Sequence, residues 1–124
     1  MTLATIETVY CIFTLWLLIH AACLYTFSYK NVVALEKILE TSQWVQENKR
    51  HWPSNGFFDL TFRVGCINTL LCFPKRCHAQ GMVNVADLVK IPRRQRLVLM
   101  TIFNTGYLGL LAMGCWAIFV HYAN

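Results

Sequence analysis

The chain predicts an all-α integral membrane fold: a two-span helical hairpin closed by a basic cytoplasmic helical loop. Three observations carry this expectation. Thr8–Ser28 and Leu97–Val120 contain no Asp, Glu, Lys or Arg. All eleven Lys and Arg lie between Lys30 and Arg96. Hydrophobic residues make up 56% of the chain and charged ones 14%, against about a quarter charged in ordinary soluble domains.

Residues 1–28 form the first apolar segment. A hydrocarbon layer of ~30 Å needs about 20 helical residues, and this segment is long enough. Secretory signals begin with a basic region, whereas the only early charge here is Glu7, so the segment is expected to stay as an anchor. Residues 29–96 are the only part able to fold in water, too few for a large enzyme core. They hold all eleven basic residues and five of the six acidic ones. Residues 97–124 form the second apolar segment. The positive-inside rule puts the loop in the cytoplasm and both termini outside.

Within the loop, Asn31–Lys49 is expected to continue the first helix as an amphipathic stretch. Leu35, Ile38, Leu39, Ser42 and Val45 share one face, with Glu36, Lys37, Glu40, Gln43 and Glu47 elsewhere. The run His51–Gly56, containing Pro53, breaks the chain. Phe57–Phe73 reads as a loop-core or interfacial helix, with Asp59 and Arg63 spaced for an ion pair. A third span here would hold that charge pair in lipid and divide the basic residues across the bilayer. Pro74 ends this helix, Ala79–Lys90 forms at most a short helix weakened by Gly81, and Pro92 opens the last one.

Six cysteines do not suggest a disulfide framework, because three fall in the apolar segments and three in a reducing compartment. Cys66, Cys72, Cys77 and His78 are the metal or redox candidates, since thiolate and imidazole ligate zinc and iron. They lack a Cys-x-x-Cys pair, and the expectation is no metal and no cofactor. Lys75, Arg76 and His78 could lower the Cys77 pKa.

His20 is the ionisable residue inside the first span. It lies about 15 Å along the helix from Lys30, and Asn104 about 12 Å from Arg96. In an antiparallel hairpin these depths match, so a His20–Asn104 hydrogen bond, or polar contacts to a partner subunit, is expected to set register, the alternative being a neutral His20 that snorkels or bonds a backbone carbonyl. Thr101, Thr105 and Gly109 recur every four residues, and Gly106 adds to this small packing face, which suits the first span, a second copy or another membrane protein. Lys30, Arg93, Arg94 and Arg96 stand at the inner ends of the spans and suit anionic lipid head groups rather than nucleic acid. Nucleophile–base and phosphate-loop motifs are absent, so no enzyme is expected.

Gly56-Phe57-Phe58 follows the first loop helix, and Arg93-Arg94-Gln95 precedes a last apolar run with Trp116 and His121 near its end. In these motifs and in its order of parts the chain resembles the universal stress protein B family, small two-span proteins of the bacterial inner membrane. The resemblance implies a membrane protein linked to stress or stationary phase, with no established catalytic residues. The expected function is therefore non-catalytic: an accessory or assembly subunit of a larger membrane complex, or a stress-related membrane protein. A redox or metal module and an anionic-lipid sensor using the Phe57–Phe73 helix are the alternatives.

Overall fold

A computed structural model describes residues 1–123, and all their regular structure is helical. In chain order the helices are α1 (Leu3–Ile38), α2 (Gln43–His51), α3 (Phe57–Cys72), α4 (Pro74–Ala79), α5 (Val85–Val89) and α6 (Arg93–Ala123). Two of them, α1 and α6, are long and apolar enough to cross a membrane. Their most apolar windows are only 6% and 11% buried, so these stretches face outward rather than into the core of this chain. Asn124, the last residue of the expected second span, lies outside the described residues.

Both long helices run through the expected span–loop boundaries. Thr2 caps α1, its hydroxyl accepting from the Thr5 N–H. The helix then continues past Cys23 and Lys30 as a single rod. Its loop-side third carries the core positions Val32 and Leu35, and Leu39 at its C-cap adds a third. The hydrophobic core therefore sits at one end of the hairpin, where the loop helices fold against α1 and α6.

The expected continuous helix over Asn31–Lys49 is broken at Leu39–Ser42. The cause is tertiary. The Thr41 hydroxyl donates to the Asp87 carboxylate, and the Ser42 hydroxyl accepts from the Asn84 N–H at 3.2 Å. The Trp44 N–H also reaches the Met82 carbonyl. These bonds latch the α1–α2 corner to the segment entering α5 and outweigh local helix propensity. The apolar face survives the break: Leu35, Leu39, Ser42 and Val45 are all buried.

Helix α3 is the keystone, packing against α1, α2, α4 and α6. Leu60, Val64, Ile67 and Leu70 are fully shielded along one face. At 16 residues it is about 24 Å long, short of the ~30 Å hydrocarbon layer. Its other side leaves Phe58 and Phe62 exposed.

The expected Asp59–Arg63 pair does not form. Asp59 instead accepts the Ser54 N–H at 2.9 Å at the mouth of α3. Arg63 turns inward to Glu36, a residue expected off the apolar face, and the two form a buried ion pair with side chains 5% and 1% exposed. The Arg63 Nε–H reaches the second Glu36 oxygen at 3.3 Å, a two-pronged arrangement suited to guanidinium and carboxylate.

Within Ala79–Lys90 the short helix is confined to α5 (Val85–Val89), and a turn joins it to α4. Pro74 opens α4, where its missing N–H costs nothing. Gly81 takes φ +71°, a left-handed conformation that suits glycine. Asn84 then caps α5 through the Ala86 N–H.

Candidate functional site

The geometry most distinctive to this chain lies on α6, which presents two different faces. One face meets α1 in an antiparallel seam. Partly shielded positions on α1 include Ile6, Val9, Phe13, Trp16 and His20. On α6 they are Ile102, Gly106, Gly109, Met113, Trp116 and Val120. Both sets alternate spacings of three and four, the period of left-handed knobs-into-holes packing.

Glycines make the seam close. A β-carbon at Gly109 would overlap Cη2 and Cζ2 of Trp16, and one at Gly106 would lie 2.8 Å from His20 Cε1. The two rings therefore occupy the space of absent side chains. They stack on each other with centroids 5.1 Å apart.

His20 is locked further by a bond to α6, 2.7 Å from Nε2 to the Ile102 carbonyl oxygen. A carbonyl only accepts, so Nε2 carries the proton. The expected His20–Asn104 bond does not form, and the alternative, a bond from His20 to a backbone carbonyl, does. The depth match was sound, but Asn104 points about 200° around the helix from Ile102, away from α1. The backbone carbonyl is the acceptor that faces the ring.

Asn104 thus belongs to the second face, exposed together with Thr101 and Thr105. No hydrogen bond is made by the Asn104 amide among the described residues. Leu108, Leu111 and Ile118 extend this face along the helix, 70%, 67% and 60% exposed. The small-residue row expected from sequence is therefore divided: Gly106 and Gly109 serve α1, while Thr101 and Thr105 point outward. What separates them is side-chain volume: glycine alone carries no β-carbon, and the His20 and Trp16 rings fill the space at Gly106 and Gly109.

The metal and redox candidates are not brought together. Cys66 accepts from Asn48 Nδ2 at 3.4 Å, the Cys72 thiol points to Asn68 Oδ1, and His78 Nδ1 meets the Val83 carbonyl. Among the described residues no three His, Cys, Asp or Glu side chains are placed to hold a metal. Burial pushes the Cys66 thiol up to about 12, with Cys77 and Glu36 adding to the shift. Cys66 is therefore an un-ionised thiol at neutral pH.

The four head-group candidates also part ways. Arg96 folds back, its Nη2 donating to the Leu88 carbonyl at 2.6 Å. Lys30, Arg93 and Arg94 remain exposed. Residues that sequence reasoning missed are Trp16, Ile102, and the Glu36–Arg63 pair, all of which depend on contacts between distant segments.

No family model, no curated protein and no solved structure matches this chain.

Proposed function

We propose that this chain is a non-catalytic integral membrane protein, an accessory or assembly subunit that docks on a larger membrane complex through the outward face of α6. One observation carries the proposal: Asn104 presents, from within the apolar run of α6, a side-chain amide that has no hydrogen-bond partner among the described residues. In hydrocarbon an unsatisfied amide costs several kcal/mol. A polar group on a neighbouring transmembrane helix relieves that cost, and such contacts hold helices together in lipid. Thr101 and Thr105 flank the amide and offer two further hydroxyls.

The exposed apolar surface of α1 and α6 supports insertion, since patches of this extent on a chain in water would drive aggregation. Confinement of all Lys and Arg to residues 30–96 supports a cytoplasmic loop with both termini outside. The resemblance to the universal stress protein B family supports a bacterial inner membrane and a stress-linked role.

Native mass measurement after extraction in mild detergent tests docking. The expected result is a stable complex with a membrane protein, lost in Asn104→Leu while the hairpin stays folded. A clean monomer for the wild type refutes docking. Trypsin tests orientation, because every cleavage site lies in the loop. Inside-out vesicles should be cut and intact spheroplasts spared; the reverse pattern overturns the topology.

A further inference from the structure

We propose that the loop-side end of the α1–α6 seam binds one anionic phospholipid, its head group between Lys30 and Arg94 and one acyl chain along the adjoining groove. The site is built from two clefts that share Phe27, Asn31 and Val98. The first, of ≈ 340 Å³, adds Arg94 and Gln95. The second, of ≈ 480 Å³, adds Lys30 and continues past Cys23 and Ile102.

A polar bridge forms the floor where the clefts meet. Gln95 Nε2 donates to Asn31 Oδ1 at 3.2 Å, and Asn31 Nδ2 donates to the Phe27 carbonyl at 2.9 Å. Each bridging residue directly follows a cation in the chain, Lys30 on α1 and Arg94 on α6. Both cations therefore stand beside the same floor, one from each helix.

Charge decides the ligand. Neither cleft is lined by an acidic side chain. Three other basic groups of this loop are already occupied: Arg63 by Glu36, Lys90 by Asp87 at 3.6 Å, and Arg96 by the Leu88 carbonyl. Lys30 and Arg94 have no ion pair among the described residues. Two free cations at a polar–apolar boundary attract a phosphate.

Shape decides between a lipid and free phosphate. From Lys30 the second cleft runs back to Cys23, about 10 Å along the helix axis, and its walls become apolar. A free phosphate leaves that groove empty, whereas an acyl chain fills it. This site is separate from the α6 docking face, and from the aromatic side of α3.

Native mass spectrometry of the full chain in mild detergent, titrated with phosphatidylglycerol or with phosphatidylcholine of the same acyl chains, tests the site. Retention of one phosphatidylglycerol in preference to phosphatidylcholine is expected. Lys30→Gln and Arg94→Gln should each weaken it about fivefold. Arg93→Gln removes the same charge one residue away, lines neither cleft, and should change binding less than twofold. Val98→Trp fills the groove without altering charge and should also weaken binding. Equal losses in the Arg93 and Arg94 variants, or equal retention of the two lipids, overturn the proposal. Displacement of the lipid by millimolar inorganic phosphate, with no effect of Val98→Trp, overturns its lipid component in favour of a phosphate site.

Discussion

Replacing Gly109 by Ala adds a single methyl group, and the seam has no room for it. The new β-carbon would overlap three atoms of the Trp16 ring. The ring cannot step aside cheaply, because it stacks on His20, which is bonded to the Ile102 carbonyl. Overpacking of this kind costs about 1–3 kcal/mol. Gly114 supplies the control. Its β-carbon would meet nothing within 4 Å, so Gly114→Ala should be neutral, or stabilising by up to ~1 kcal/mol through helix propensity. Thermal unfolding of both variants in one detergent is the assay, with Gly109→Ala melting below wild type and Gly114→Ala at or above it. Trp16→Leu should cost stability alone but rescue Gly109→Ala, giving a coupling of about 0.5–3 kcal/mol in the double-mutant cycle. Equal melting of the two alanine variants, or a coupling near zero, refutes the close seam.

Other consequences are open to measurement. Glu36→Ala leaves Arg63 charged and buried, and should destabilise by about 3–5 kcal/mol in denaturant titration; the double change Glu36→Leu/Arg63→Met should recover most of that loss. His20→Leu removes one side chain-to-backbone bond and should cost about 0.5–1.5 kcal/mol by the same assay. The raised Cys66 pKa has a definite sign: the folded thiol holds its proton to about 12, while the unfolded thiol loses it near 9.0. Stability from this group is complete below pH 9 and falls as pH rises towards 12, and Cys66→Ser should flatten that decline in alkaline melts. At pH 8 Cys66 should also resist iodoacetamide until the chain is unfolded, which peptide mapping would report.

Sequence alone was sufficient for the all-helical class, the two long apolar helices, the breaks at Pro53–Gly56 and Pro92, and the buried face of Leu35, Leu39 and Val45. These rest on local properties: an unbroken apolar run, a period near 3.6, and residues that cannot continue a helix. Gly106 and Gly109 were legible as packing positions for the same reason, since small residues on an apolar helix mark close approach.

Tertiary structure alone decided which partner each polar group takes. Arg63 has Asp59 one turn away and Glu36 far off in sequence, and burial against α1 favours Glu36. Asn104 and Ile102 differ little in depth, yet the rotation of α6 turns one outward and gives the other's carbonyl to His20. Thr41 and Ser42 end α1 because Asn84 and Asp87 come to meet them. Periodicity tells which residues share a face, but the identity of the facing surface depends on register and rotation between helices far apart in the chain, and those are settled only when the side chains pack.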